Sequence, residues 1–187
     1  LLSNISTDVI TVGKGNLYDN TVSIFSKDGV VSLLCELDND TNNSNELLLS
    51  SSISFDRGVS GGIRTNIFLD SSFVNIRGYR LNIDSSYASV AKREFSFRDF
   101  IIHNEGQSLT IDGTLSENPE DSIHVYFDKF DISLADAFLK KKIGIEGELT
   151  GNILATGIYG TPNILMDVNG SGISLKSRTV GNLHIMS

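Results

Sequence analysis

The sequence has no tryptophan and only one cysteine, Cys35, among its 187 residues. A single thiol cannot form an internal disulfide, so disulfide-stapled scaffolds are excluded, while oxidising and reducing compartments both remain open. The sequence also lacks any apolar run near the roughly 20 residues of a membrane-spanning helix. It has no initiator methionine and no signal-like segment. We therefore expect a segment of a longer protein, with any anchor outside it.

Basic residues are also few. The 15 Lys and Arg residues against 23 Asp and Glu residues give a formal net charge of -8. Such a chain lacks the basic surface that binds phosphates, so nucleic acid is not an expected partner. The 40% of apolar and 20% of charged residues predict a folded chain. Its length fits a single domain over residues 1–187.

What the sequence does contain is alternation of apolar and polar residues, which predicts half-buried β-strands. One example is the run Val31, Leu33, Cys35 and Leu37. The runs are separated by short segments of turn-forming residues, at 27–29, 38–46, 104–107, 116–122 and 160–163. Short breaks between strands imply antiparallel neighbours joined in sequence. The predicted fold class is all-β, with a mostly antiparallel sheet.

One segment breaks the alternation and predicts a short α-helix near 133–142. Leu134 and Phe138 are four residues apart, as on one face of a helix, and Ser133 provides a capping start. Three consecutive lysines stand at the expected C-terminal end, and Gly144 can stop the helix. The lysines complement the helix dipole, so they do not by themselves indicate an acidic partner.

The stretch "GIEGELTGNILATGIYGTPNIL", residues 144–165, predicts an unusually long strand with one apolar face. Three positions on that face are the glycines Gly147, Gly151 and Gly157. Glycines on the apolar face suggest a long sheet that curls into a groove, because they relieve crowding on a concave side. The same alternation would also build an ordinary closed core. "IDGTLS" at 111–116 and "IEGELT" at 145–150 share a template that indicates either a repeated module or coincidence.

The sequence offers little support for catalysis or for a metal. His103, His124 and His184 stand apart from one another, without the spacing of metal ligands. Asp38 and Asp40 begin a calcium-loop spacing that Asn42 continues, but the loop's glycine and its last glutamate are missing. A solvated hairpin loop explains these residues better.

Other motifs for cofactors and catalysis fail as well. "GKGNLY" at 13–18 begins like a dinucleotide loop but has Tyr18 in place of the last glycine. No pair of carboxylates can be placed across a cleft, so acid–base catalysis has no support. We expect a protein that is not an enzyme and that binds neither a metal nor a cofactor.

From about Phe95 onward, the order of motifs resembles the C-terminal part of TamB-type proteins in the AsmA-like family of Gram-negative envelope proteins. The matching stretches are "FRDFIIHNEGQSLTIDGTLS" (97–116), "IHVYFDKFDISLADAFL" (123–139) and the long glycine-containing stretch extended to 144–175. The middle stretch is most similar to forms from Bacteroides. Residues 1–94 resemble the family only in their alternation, so the resemblance covers about half of the chain.

The resemblance implies a β-taco, a long sheet folded into a groove with an apolar interior, of which this chain would be one slice. Family members are anchored in the inner membrane and cross the periplasm. They are implicated in moving phospholipid toward the outer membrane, and translocation and assembly module proteins also in inserting outer-membrane proteins with an Omp85-class partner. The implied function is therefore a non-enzymatic periplasmic bridge for phospholipid acyl chains.

The resemblance provides no catalytic residue, only positions that would line the groove. These positions are Leu109, Ile111, Leu115, Ile123, Val125, Phe127, Leu149, Ile153, Ala155, Ile164, Met166 and Val168. A bulge could locally reverse which side of a strand faces inward.

Two other functions compete with the lipid bridge. The first is an assembly scaffold or chaperone that receives strands of outer-membrane β-barrel proteins along an open sheet edge. The second is a carbohydrate-active β-solenoid, which would need carboxylates and aromatic residues gathered on one strand face. The sequence alone shows no such gathering.

Overall fold

A computed structural model describes residues 2–12, 15–38, 45–58, 61–76, 79–134 and 143–187. The described residues form an all-β structure whose strands belong to one 14-stranded antiparallel sheet, which confirms the predicted fold class. The strands are β1 (Leu2–Val12), β2 (Gly15–Lys27), β3 (Val30–Asp38), β4 (Asn45–Arg57), β5 (Ile63–Leu69), β6 (Ser72–Ile76), β7 (Tyr79–Ile83), β8 (Ser86–Ala91), β9 (Glu94–Asn104), β10 (Gln107–Leu115), β11 (Ser122–Asp131), β12 (Ile145–Thr156), β13 (Asn163–Leu175) and β14 (Arg178–Met186). None of the described segments is a helix long and apolar enough to cross a membrane.

The chain divides into two compact units, Leu1–Ile102 and His103–Ser187, which we call the N-terminal and C-terminal units. Strands β10 to β14 of the C-terminal unit pair in sequence order as a meander. In the N-terminal unit, β1 to β5 also pair in sequence order, and β5 then pairs with β8. The expectation of a single domain over the whole chain stays a prediction.

The predicted turns lie where strands reverse direction. Asp28 and Gly29 have φ of 50° and 79°, the left-handed geometry of a type I′ hairpin turn. Asn104 begins the predicted turn at 104–107, and its side-chain oxygen accepts a hydrogen bond from the Gly106 backbone N–H at 3.1 Å. The segments 116–122 and 160–163 also connect paired strands, β10 with β11 and β12 with β13. In the predicted turn at 38–46, residues 39–44 lie outside the described part of the chain.

The N-terminal unit contains a feature that alternation does not predict. Strand β4 pairs with β5 through its C-terminal half and with β6 through its N-terminal half. Strands β5 and β6 therefore lie end to end along β4, with a break in the strand at Asp70–Ser71. A similar break at Asp84–Ser85 separates β7 from β8. The Ser71 and Ser85 hydroxyl oxygens lie 3.3 Å apart, so the two interruptions are neighbours. Both carry the sequence Asp-Ser-Ser, which provides side-chain hydrogen bonds where ladder bonds are lost.

Strands β11 and β13 contain bulges, in which extra residues are inserted into the strand. The apolar residues on both sides of the bulge then lie on the same face. In β11 the pairing slips between Phe127 and Phe130, where Lys129 has φ of 46°. Both phenylalanines then lie on the same face although they are three residues apart. The bulge in β13 contains Gly172 with φ of 60°. A fixed alternation would assign the residues beyond such points to the wrong face.

The predicted helix near 133–142 is described only at its start. Ile132–Leu134 forms a single 3-10 turn that lies against β12, with the Leu134 side chain buried. The Ser133 backbone N–H donates to the Asp131 carboxylate at 2.8 Å. Residues 135–142 lie outside the described part of the chain, so the helix stays a prediction. Gly144 has φ of 71°, the conformation that commonly follows a helix.

Few apolar side chains are buried. Among the described residues, only Leu81, Leu134, Val168 and Ile173 are apolar and less than about a tenth exposed. A β-sandwich of this length would bury one whole face of each sheet against the other. The apolar side chains here are instead mostly half-buried or exposed along the strands.

Candidate functional site

The candidate site is the apolar face of β10 to β13 in the C-terminal unit. Residues directly opposite each other in an antiparallel pair point to the same face. The register therefore places Ile111, Val125, Ile153 and Met166 in one row across four strands. This row contains four of the positions that the sequence predicts as groove-lining.

Two further rows lie on either side of it. They consist of Gly113, Ile123, Ala155 and Ile164 on one side and of Leu109, Phe127, Gly151 and Val168 on the other. Leu149 lies opposite Phe130, and Leu115 follows the same alternation in β10. All twelve predicted lining positions thus share one face. Their contact with lipid stays a prediction.

This face is only partly covered by the rest of the described protein. Val168 is buried at 7% exposure, whereas Ile164 is 43% exposed. The other ten predicted lining residues are half-buried. Neighbouring side chains of the same sheet account for partial burial, and a second sheet stacked on the face would bury such residues fully.

Glycines interrupt two of these rows because the backbone there has no room for a side chain. Gly113 and Gly151 have φ of 115° and 139°, which side-chain-bearing residues rarely adopt. A Cβ atom on Gly113 would collide with the Ser122 carbonyl oxygen, and one on Gly151 with the Asp167 carbonyl oxygen. The adjacent strands approach too closely for any side chain at these points. Phe127, directly opposite Gly151, provides apolar surface beside the gap.

Gly147 leaves a space that a neighbouring side chain fills. A Cβ on Gly147 would lie 2.7 Å from the Ile173 Cδ1 atom, and one on Gly170 would lie 3.0 Å from the same atom. Ile173 is 7% exposed, so it fills the space that both glycines leave. Gly113 and Gly147, the glycines of the two similar hexapeptides, both have positive φ in strands. Their common geometry fits a repeated module, and coincidence remains the other interpretation.

The N-terminal unit has an apolar face of its own. Register places Val31, Ile53, Ile67, Ala88 and Phe97 in one row across β3, β4, β5, β8 and β9. A second row consists of Leu37, Leu47, Val74 and Leu81.

Cys35 lies on the same face, opposite Val22 and Leu49. Burial, and secondarily the charge of Glu36, raise the pKa of the Cys35 thiol. The thiol is therefore a poor nucleophile at neutral pH.

The three histidines do not assemble a metal site. His124 lies between the Ser122 and Tyr126 hydroxyls, each 3.3 Å from a ring nitrogen. His184 lies 2.9 Å from the Asp167 carboxylate. Within the described segments, no three His, Cys, Asp or Glu side chains come together as a metal could require. Of the calcium-loop candidates, Asp38 ends β3, while Asp40 and Asn42 lie outside the described residues.

The opposite face of the N-terminal unit carries a cluster that the sequence did not reveal. The Phe68 and Tyr87 rings lie 4.9 Å apart between centroids, and the Tyr87 hydroxyl donates to the Asn66 side chain at 2.7 Å. The Asn66 amide in turn donates to the Asp56 carboxylate at 3.1 Å. An aromatic pair, an amide and a carboxylate are therefore gathered on one strand face. Only the pairing of β4, β5 and β8 brings these residues together, so linear alternation could not show it.

No family model, no curated protein and no solved structure matches this chain.

Proposed function

We propose that this chain is a non-enzymatic segment of a TamB-type, AsmA-like envelope protein that carries phospholipid acyl chains across the periplasm of a Gram-negative bacterium. In this proposal the antiparallel sheet curves into a groove, and the twelve aligned residues line it. The parent chain would be anchored in the inner membrane by a segment outside this sequence. It would deliver lipid toward the outer membrane and contact an Omp85-class partner through other parts of the chain.

The observation that best supports this proposal is the apolar face of the C-terminal unit. Four strands contribute Ile, Leu, Val, Phe, Ala and Met side chains in register, and most of them are only half-buried. Leaving apolar surface in water costs roughly 25 cal/mol per Å². A flexible acyl chain that covers this face would recover that free energy without needing a polar partner.

The chemistry of the face also supports acyl chains as the proposed ligand. Its rows contain no charged side chain at the paired positions from Ile111 to Met166 and from Leu109 to Val168. A sugar or nucleotide would lose its hydrogen bonds to water on such a surface, and the cost would not be repaid. The motif order that resembles AsmA-like proteins supports the same ligand class.

The experiment is site-specific photo-crosslinking in cells that express the parent protein. A photoreactive residue at Ile153, in the middle of the central row, should capture phospholipid detectable by mass spectrometry. The matched control is Asn152, which lies on the opposite face of the same strand and is exposed. Lipid capture at Ile153 but not at Asn152 supports the proposal, whereas absence of lipid at Ile153 or equal capture at both rejects it.

A substitution separates lipid passage from folding. Ile153→Glu places a carboxylate in the central row and should block lipid transfer while the circular dichroism spectrum of the sheet remains. Asn152→Glu adds the same charge on the other face and should leave transfer intact. If Ile153→Glu transfers lipid as well as the native chain does, the face is not the conduit.

A second candidate function is an assembly scaffold for outer-membrane β-barrel proteins, and one observation favours it. Strand β14 is at the end of the strand order, so one of its edges has no hydrogen-bonded neighbour among the described strands. It also exposes Val180 (61%) and Met186 (75%). An added client strand would pair with this edge. Crosslinkers at Val180 would then capture polypeptide, whereas the lipid proposal expects none there.

A further inference from the structure

We propose that the face of the N-terminal unit opposite its apolar face binds an uncharged oligosaccharide through an aromatic platform formed by Phe68 and Tyr87. The proposal is independent of lipid carriage, because it concerns the N-terminal unit, whereas the lipid proposal concerns the apolar face of the C-terminal unit. It rests on the ring geometry, on the partly buried hydrogen bonds that hold one ring, and on the polar groups beside the rings.

The platform is a cross-strand pair with one ring strongly exposed. Phe68 in β5 lies directly opposite Tyr87 in β8, with ring centroids 4.9 Å apart and planes tilted by 49°. Phe68 is 50% exposed. Arg98, opposite Tyr87 in β9, places its guanidinium carbon 5.4 Å from the centre of the tyrosine ring. The aromatic surface is therefore held on three adjacent strands, and Phe68 presents it to solvent.

A partly buried network fixes the tyrosine ring in place. Its hydroxyl donates to the Asn66 oxygen at 2.7 Å, and the Asn66 amide donates to Asp56 at 3.1 Å. Asn66 is only 8% exposed. A buried amide with both of its ends hydrogen-bonded holds its partners in defined positions. Preorganised rings of this kind lose little entropy when a ligand stacks on them.

Small hydroxyl side chains lie beside the platform. The row through Phe68 continues to Ser52 in β4, Ser32 in β3 and then Phe25 in β2, which is 45% exposed. Three strand spacings separate the two phenylalanines by about 14 Å. Within the described residues neither serine hydroxyl has a hydrogen-bond partner, and both are half-buried. The row therefore has an aromatic residue at each side and hydroxyl groups between.

These groups fit a sugar better than other ligands. The flat C–H face of a pyranose stacks on an aromatic ring, while its hydroxyls exchange hydrogen bonds with serine and carboxylate groups. The negative Asp56 and the positive Arg98 border the same platform, so no single charge sign dominates for a charged ligand. A peptide that adds as a strand needs an open sheet edge, which the middle of this face does not offer.

The test is a titration of the purified 187-residue chain with cellohexaose, a neutral β-linked hexasaccharide, followed by calorimetry and by NMR shifts. We expect saturable binding to the native chain and at least a tenfold loss of affinity in Phe68→Ala. The matched control is Phe55→Ala, because Phe55 is 59% exposed but lies on the apolar face. Its affinity should equal that of the native chain.

A second variant covers the case in which Phe68→Ala fails to fold. Ser52→Gln keeps both rings but places a larger side chain in the row between Phe25 and Phe68. The affinity of this variant for the sugar should therefore also fall at least tenfold. Absence of saturable binding by the folded native chain, up to the solubility limit of the sugar, overturns the proposal. Unchanged affinity in folded Phe68→Ala, or a loss in Phe55→Ala alone, overturns it as well. None of these results depends on whether the apolar face carries lipid.

Discussion

The Ile173 side chain occupies the space beside Gly147 where any other residue would place its Cβ atom. That Cβ would lie 2.7 Å from Ile173 Cδ1 and 2.8 Å from the Ser171 carbonyl oxygen. Gly147 also has φ of 126°. The gap that the sequence shows in the apolar face of β12 is therefore filled by an isoleucine from β13, which is 7% exposed.

This relationship predicts that Gly147→Ala destabilises the chain. Both the positive φ and the contact with backbone oppose a Cβ, so we expect a loss of about 1–3 kcal/mol in the free energy of unfolding. Chemical denaturation followed by circular dichroism measures it. Gly106→Ala is the matched control, because a Cβ there meets nothing within 4 Å. A loss in Gly106→Ala equal to that in Gly147→Ala would contradict the explanation.

The other residue of this pair, Ile173, gives a second prediction. Ile173→Ala removes a buried side chain and leaves a space over Gly147 and Gly170, so it should cost about 2–5 kcal/mol. The same denaturation experiment reads out this loss. The comparison variant is Ile185→Ala, in which an isoleucine that is 43% exposed is truncated in the next strand. We expect a clearly smaller loss in Ile185→Ala, and equal losses would argue against a filled space.

The sequence predicts strands and turns well here because both depend on neighbours in the chain. Alternation identified β12 as a long strand, and turn-forming residues identified Asp28–Gly29 as a turn. All twelve lining positions share a face because no bulge lies within the parts of β10, β11, β12 and β13 that contain them. Periodicity suffices where the pairing is regular.

Two features could be recognised only from the strand pairing in the structure, and not from the sequence. The interruptions at Asp70–Ser71 and Asp84–Ser85 become one feature only when β5 and β8 are seen as neighbours. The platform of Phe68 and Tyr87 likewise joins residues 19 positions apart in the sequence. Such pairings depend on which strands meet, and a single sequence carries no local signal for that choice.

The bulge in β11 leads to a third prediction. The Lys129 backbone N–H donates to the Thr150 hydroxyl at 3.1 Å, because the bulge removes it from the ladder. Thr150→Val keeps the shape but removes the acceptor, so we expect a loss of about 0.5–1.5 kcal/mol. Hydrogen exchange of the Lys129 amide should also accelerate.

The control for that exchange measurement is Thr110→Val. Thr110 lies in β10 opposite Tyr126, and its hydroxyl has no hydrogen-bond partner in the described part of the chain. The substitution should leave the Lys129 amide unchanged. Unaltered exchange in Thr150→Val would show that the hydroxyl does not hold the bulge.

The only cysteine gives a prediction about pH. Burial on the apolar face, with a smaller effect from Glu36, raises the pKa of the Cys35 thiol. The folded chain therefore holds the thiol proton to higher pH than the unfolded chain does. This effect leaves stability unchanged below the unfolded pKa of about 8.5 and lowers it as the pH rises through the folded pKa. The native chain should thus lose stability relative to Cys35→Ala as the pH rises above about 8.5. Alkylation by iodoacetamide should also be slower than for a free thiol, and faster in Glu36→Gln. The explanation would be contradicted if the native chain were alkylated as fast as a free thiol and Glu36→Gln were no faster. Cys35 would then not be surrounded by the apolar surface of the sheet.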